Sequence, residues 1–421
     1  MTKSELFRLL AYSMLFLSSI QECVATATSV NAEIGCHEAA PGTPLRDPEF
    51  NSDDLLATWQ VNPVLRKNGQ LKRPGWLNIT PIDPATGLFL MDQTIPFSEA
   101  NPTRVNVTNN GPEWAYSQRG PEVYFTAYTS NLHGTQIGRI SRNSVGEWQL
   151  GFLPGSKKLA RPEPSKSKIN PVPKVYYTKQ TRRLPNFAFG VFGWREDAES
   201  YIDIPMSEDA RTGRWLPDGQ HLFYHKLVAQ NPRRIAQLYL LNVNTSEETR
   251  ITDDNLRYIS IAAWNAPELD GATALLSTVS TADEDEVYIK VWRQDTNGKW
   301  IDWTEIHSFI PELPDLDSPE PFVYKGRSYL LITSRTALSQ NLSTESVIWV
   351  ATIDPSLPSD QKIGQQIISQ EYIPDAISVK ADPEVLITPN DGVWIYYLDK
   401  GVIDMPDSAI GLIVCNFSPS R

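Results

Sequence analysis

The 421-residue chain has few of the residues that most often carry metal or nucleophilic chemistry, with 3 cysteines and 5 histidines. It contains no Cys-x-x-Cys pair, no Gly-x-Ser-x-Gly elbow and no glycine-rich phosphate loop, and no motif supports a Ser-His-Asp triad. His221 and His225 are four residues apart, which on a strand puts them on one face roughly 13 Å from each other, too far to share a metal ion. The acidic run Asp283-Glu284-Asp285-Glu286 lacks the glycine and the alternation of a calcium loop and reads as a hairpin tip. Neither a metal nor a cofactor is expected. Excess positive charge is also missing: 38 Lys and Arg against 50 Asp and Glu leave a formal charge of -12. That balance argues against nucleic acid or an anionic membrane as a partner. Beyond the first residues no apolar run reaches membrane-spanning length, so no membrane anchor is expected, and no long amphipathic helix is evident.

The chain opens with Lys3 and Arg8, a short apolar run from Leu9 to Leu17, and Ala25-Thr26-Ala27. This reads as a cleaved signal peptide over residues 1–27, followed by one domain over 28–421 in the secretory pathway or outside the cell. Cys23 leaves with that peptide. Cys36 and Cys415 remain near opposite ends and are expected to pair in an oxidising compartment. A bridge over so long a loop stabilises by roughly 4 to 5 kcal/mol on the chain-entropy model. Sequons at Asn78, Asn106, Asn244, Asn341 and Asn416 fit N-glycosylation, with Asn416 poorly placed beside Cys415.

The organising stretch runs from Gly213 to Asp253. Trp215 and a Pro217-Asp218-Gly219 turn precede two alternating runs, around Leu222-Phe223-Tyr224 and Leu238-Tyr239-Leu240-Leu241, and Arg250-Ile251-Thr252 closes it. Short β-rich runs split by turn residues read as an antiparallel meander. The same grammar follows Pro112-Glu113-Trp114, Pro267-Glu268, Pro319-Glu320 and Pro383-Glu384. Degenerate repeats of about 40 to 60 residues, each a small sheet, indicate an all-β β-propeller. The Gly213 block resembles the TolB-type propeller repeat, and that likeness implies fold without function. Six blades are expected, with five to seven open, and the N-terminal segment is expected to share a strand with the last blade to close the ring. The lysine-rich, proline-rich stretch from Lys157 to Arg183 reads as an exposed connection.

In a propeller the innermost strand of each blade faces the central channel. Glu113 with Trp114, Arg214 with Trp215, Trp264 with Glu268, Glu320 with Phe322, and Glu384 mark those strands. A residue recurring in every blade reads first as structural, so Arg214, Trp264, Asn265 and the aromatics from Phe187 to Trp194, which break the repeat, are the stronger functional candidates. Two enzyme classes fit. A glycoside hydrolase needs two carboxylates about 5 to 9 Å apart, drawn from Glu113, Glu268, Glu320 and Glu384. A cyclase needs a cavity holding two reactants in near-attack geometry and donors that polarise a carbonyl. A glycan- or protein-binding propeller without catalysis is the third class.

Three stretches, Trp76-Leu77-Asn78-Ile79-Thr80-Pro81 onward, Gly111-Pro112-Glu113-Trp114 and Ser318-Pro319-Glu320-Pro321-Phe322, look like the fungal hetero-Diels–Alderases of tropolonic sesquiterpenoid pathways. That resemblance implies apolar small-molecule substrates, a tropolone o-quinone methide and a humulene-type olefin, joined into a dihydropyran. Trp114, Trp215, Trp264, Asn265 and Phe322 would then line the substrate site, with Arg214 or Tyr258 donating to the tropolone oxygen.

Overall fold

The computed structural model describes residues 35–417, apart from 44, 62–63, 66–70, 74–75, 98–110, 129–134, 170–173, 181–186, 196–199, 207–208, 231–232, 282–285, 309–313, 336–345, 359–361, 368–379 and 400–410. Residues 1–27, Asn106, Asn341, and Asp283 to Asp285 of the acidic run therefore lie outside it. Among the described residues the chain forms seven four-stranded antiparallel sheets. Helix is limited to short turns such as Pro267–Leu269. No described helix is long and apolar enough to cross a membrane.

The sheets are the blades of one propeller, taken in chain order. Their innermost strands are Arg46–Asn51, Glu113–Ser117, Leu159–Pro164, Ala210–Trp215, Arg257–Ala266, Asp315–Tyr324 and Lys380–Ile387. Each inner strand contacts the next, and the first contacts the last, so the ring closes. Strands such as Val287–Gln294 are buried over most of their length because each blade is sandwiched between two others. The core lies between blades: Leu276, Ile289 and Val291 of blade 5 pack on Leu330, Ile332 and Trp349 of blade 6.

Seven blades is one more than the expected six. The difference lies in the two least regular segments. Residues read as an exposed basic connection supply the inner strand of blade 3, Leu159–Pro164, and the irregular segment near Pro48 supplies that of blade 1. Blade 7 takes its fourth strand from the N-terminal side. Cys36–Glu38 pairs antiparallel with Gly411–Phe417, and Cys36 lies opposite Cys415 and is disulfide-bonded to it.

Of the sequons within the described residues, Asn244 and Asn416 are exposed. Asn78 is not. It is 2% exposed in the middle of the strand Trp76–Pro81, and its carbonyl accepts a bond from Thr58. The folded protein offers no room there for a glycan, because the asparagine that completes the sequon is also a core position of blade 1.

The bridge spans 379 residues and ties the strand that closes the ring. Cys36→Ser or reduction is expected to lower the unfolding free energy by a few kcal/mol, with about 6 as the ceiling that chain entropy sets for a loop of this length, and to raise hydrogen exchange first at 36–38. An unchanged melting temperature and unchanged protection there would show that the strand ladder alone holds the seam.

Candidate functional site in the propeller channel

A single backbone device builds the site. In six inner strands the register slips at one place: between Arg46 and Glu49, Ala160 and Glu163, Ala210 and Gly213, Tyr258 and Ile261, Asp317 and Glu320, and Ala381 and Glu384. A bulge of this kind bends the strand and redirects the side chain that follows it. In four of these blades the bulge carries a proline, Pro48, Pro162, Pro319 or Pro383. Proline is tolerated there because no ladder bond is asked of its nitrogen. The residue before it is forced to positive φ at Asp47 (43°), Arg161 (51°) and Ser318 (47°). In blade 2 the strand starts at the equivalent place, with Glu113 directly after Pro112.

The residue at this place is glutamate in five consecutive blades around the ring, after the bulge for Glu320, Glu384, Glu49 and Glu163 and at the start of the strand for Glu113. All five line a channel cavity of about 820 Å³. Three cations line the same cavity, and two of them, Arg214 and Lys166, reach the glutamates. Arg214, from the blade 4 inner strand, bonds through Nη1 to Glu163 Oε2, with 37% of its side chain open to the cavity. Lys166 comes from the loop after the blade 3 inner strand, and its ammonium sits 3.0 Å from Glu113 Oε2 and 3.4 Å from Glu49 Oε2. The loop is held at both ends. Lys168 pairs with Asp53 at 2.7 Å and lies over the Tyr116 ring. On the other side the Pro217-Asp218-Gly219 turn backs onto Ser165 and Ser167 so closely that a Cβ at Gly219 would come within 2.7 Å of Ser167 Cβ.

With Asp47, six carboxylates line the cavity against three cations, one of which, Lys168, is paired with Asp53, so the glutamates are short of compensation. Burial, then the neighbouring Glu113 charge, raises Glu49 from 4.5 to about 8 despite Lys166. Burial also raises Glu163 to about 7, against the lowering effect of Arg214. Glu384 is pushed well up by burial and by Glu49 and Glu320. These protons belong to the arc as a group. Burial pulls Lys166 down, but Glu113, Glu49, Glu163 and Glu384 more than offset it and keep the ammonium charged. Glu163 holds Arg214 charged in the same way. Next to the arginine, His225 is buried, and its burial and then the Arg214 charge lower it from 6.5 to about 4, so its imidazole is neutral at pH 7.

Among the residues expected in the site, Glu113, Glu320, Glu384, Arg214 and Trp215 line the cavity. Glu268 does not: it sits in the turn after the blade 5 inner strand and accepts bonds from Ser328 N and Oγ, both at 2.7 Å. Trp114 is buried between blades, its indole donating to the Glu49 carbonyl at 3.0 Å, and Trp264 donates to Ser328 Oγ at 2.9 Å. Phe322 stacks on Tyr329, and the exposed Asn265 accepts from Thr273. Tyr258 donates to Asp254 at 2.7 Å and packs near Trp292, outside the cavity lining. From the Phe187 to Trp194 run, Phe189 is buried against Tyr176. Glu49, Glu163 and Lys166 escaped the sequence reading, although Pro48-Glu49 and Pro162-Glu163 repeat the dipeptide that marks the other blades.

The chain is a seven-bladed propeller with a charged channel. An oligogalacturonate lyase in complex with manganese matches it over 91% of each chain, with a TM-score of 0.51 and 9% identity. The apo form of prolyl oligopeptidase B from Galerina marginata matches over 88% of this chain and 50% of its own, with a TM-score of 0.51 and 10% identity. At such identities the likeness shows fold alone. Both neighbours are enzymes, which is compatible with catalysis in this channel. No family model matches the chain, and no curated protein matches it by sequence.

The raised carboxyls set a pH dependence. Between pH 4.5 and 8 the folded chain holds protons that the unfolded chain releases, so stability is fully present below the unfolded value and is lost as pH rises through 7 to 8. His225 acts oppositely, costing stability as pH falls from 6.5 toward 4. The melting temperature should therefore fall from pH 6.5 to 8.5, and Glu49→Gln should flatten that fall. A melting temperature that rises over this interval would mean the carboxyls are already ionised at pH 6.5.

Proposed function

We propose that the protein is an enzyme acting on small molecules in the channel, and that its reaction is the intermolecular hetero-Diels–Alder joining of a tropolone o-quinone methide to a humulene-type sesquiterpene. One juxtaposition carries the reading. Carboxyls that keep protons near neutral pH, Glu163 and Glu49, each contact a permanent cation, Arg214 and Lys166. An acid with a pKa near working pH is an efficient proton donor. A fixed cation in an enclosed site stabilises an oxyanion far better than water does. The o-quinone methide forms from its hydroxymethyl precursor by loss of water: a carboxyl gives its proton to the departing hydroxyl, and the ring hydroxyl returns one to the carboxylate. The cycloaddition then forms one C–C and one C–O bond from three π bonds, leaves one new π bond and involves no net redox change.

In this reading Arg214 donates to the tropolone oxygen, lowering the acceptor orbital of the electron-poor partner. Lys166 takes the second donor role considered for Tyr258, whose hydroxyl is bound to Asp254. The resemblance of the stretches at Trp76, Gly111 and Ser318 to the fungal hetero-Diels–Alderases selects this reaction among those the site could assist. A second reading, glycoside hydrolysis, is favoured by one observation: Glu49 and Glu113 contact the same ammonium, so two carboxylates stand close together, as the paired roles of that reaction require.

Arg214→Ala is expected to lower turnover of an o-quinone methide precursor with humulenol by about 100- to 1000-fold. Melting should stay close to wild type, because Glu163, left without its partner, takes up a proton. Chiral chromatography against a no-protein control reads both rate and stereochemistry. An unchanged adduct mixture with the wild-type protein contradicts the cycloaddition, and sugar release from a polysaccharide would favour the second reading.

A further inference from the structure

Two neighbouring blades interrupt the ring of glutamates. The position that is Glu in the other five blades is Gly213 in blade 4 and Ile261 in blade 5. The same register slip is present, but only Ile261 reaches the channel lining, while Gly213 adds no side chain to it. What changes is the chemistry. The wall on that side is mainly apolar, with Trp215 and Leu216 of blade 4 and Ile259, Ile261, Ala262 and Ala263 of blade 5, and only the small hydroxyls of Thr212 and Ser260 beside Arg214 are polar. Since the two blades are adjacent, the apolar surface is one continuous sector, and the carboxylates occupy the rest of the circumference. The small alanines leave depth, and Gly213 brings the backbone against Tyr176, where a Cβ would lie 3.3 Å from the ring.

We infer that this sector is an apolar subsite that takes the hydrocarbon body of the substrate and turns its polar end toward the carboxylate arc. The inference deepens the functional reading above and rests on it for the identity of the substrate, while the subsite itself depends only on the wall's chemistry. A hydrocarbon is driven onto such a surface by release of water from both faces, and it is repelled from the arc, whose charges it would desolvate without pairing them. The orientation of a ligand with one apolar and one hydrogen-bonding end is thereby set without any contact specific to its skeleton. Arg214, which projects from the strand position between Gly213 and Trp215, stands at the boundary of the two sectors, where the polar end of a ligand so placed would lie. The subsite explains why only these two blades depart from the repeat, which a purely structural role for the glutamates would leave without a cause.

Titration with Nile red, a neutral apolar dye that brightens out of water, tests the subsite directly on the full chain. Saturable one-to-one binding is expected. Ala263→Glu should weaken it at least tenfold, and Ala263→Phe, which fills the space without adding charge, should do the same. Glu384→Gln, on the opposite arc, should leave it within twofold. Melting temperature and circular dichroism establish that each variant is folded. Equal binding by all the variants, or no saturable binding by the wild type, overturns the subsite. Dye binding that responds as expected while the precursor and humulenol give no adduct keeps the subsite and rejects the cycloaddition. Adduct formation with dye binding indifferent to Ala263 does the reverse.

Discussion

A β-bulge repeated in the innermost strands governs this molecule. Each slip of register turns the following residue toward the axis, and the ring symmetry then multiplies whatever residue stands there. Where that residue is glutamate in five consecutive blades, like charges are forced into one low-dielectric cavity. The unfavourable crowding is met in two ways, by drawing in Lys166 and Arg214 and by keeping protons on part of the arc. Both responses are useful to catalysis, since they place acids and cations side by side. The chemistry of the site thus follows from a backbone feature more than from any single residue.

Around that axis the remaining structure acts as a frame. The tryptophans near the inner strands fasten one blade to another: Trp114 of blade 2 to the carbonyl of Glu49, and Trp215 of blade 4 to the carbonyl of Glu163. These bonds fix the backbone of the very residues that carry the carboxylates. The disulfide between Cys36 and Cys415 does the corresponding work at the outer rim of blade 7, where the ends of the described chain meet. A propeller without that closure could spread, and the separation of carboxylates across the channel would change with it.

Much of the fold was legible because alternating runs such as those at Leu222 and Val393, divided by turn residues, can hardly be anything but meander strands. The Cys36 to Cys415 pairing was legible from the scarcity of cysteine. The inner strand of blade 3 was not, since lysines and prolines around Pro162-Glu163 carry the composition of an exposed loop although the strand is an inner one. The glutamates were partly visible. Pro-Glu alone does not select the channel: Glu122 follows Pro121 yet sits on a second strand, accepting a bond from Tyr124, and Glu268 caps a neighbouring strand. What separates the two groups is placement, at the bulge or the start of an inner strand, and the Pro-Glu dipeptide alone does not reveal which strand is innermost. The tryptophans misled for a related reason. An indole N–H buried between blades needs a partner, and Trp114 and Trp264 found theirs in a neighbouring blade, away from the cavity.

The central claim is that channel carboxyls hold protons at neutral pH beside two cations. Infrared spectra of the folded protein, recorded in heavy water across pH 6 to 9, read protonated carboxyl groups directly. A protonated-carboxyl band that is present at pH 6.5, weakens through pH 7 to 8 and is diminished in Glu49→Gln and Glu163→Gln is the predicted result. Absence of that band already at pH 6.5 would mean that the arc is fully ionised, and the acid–base account of this channel would fall.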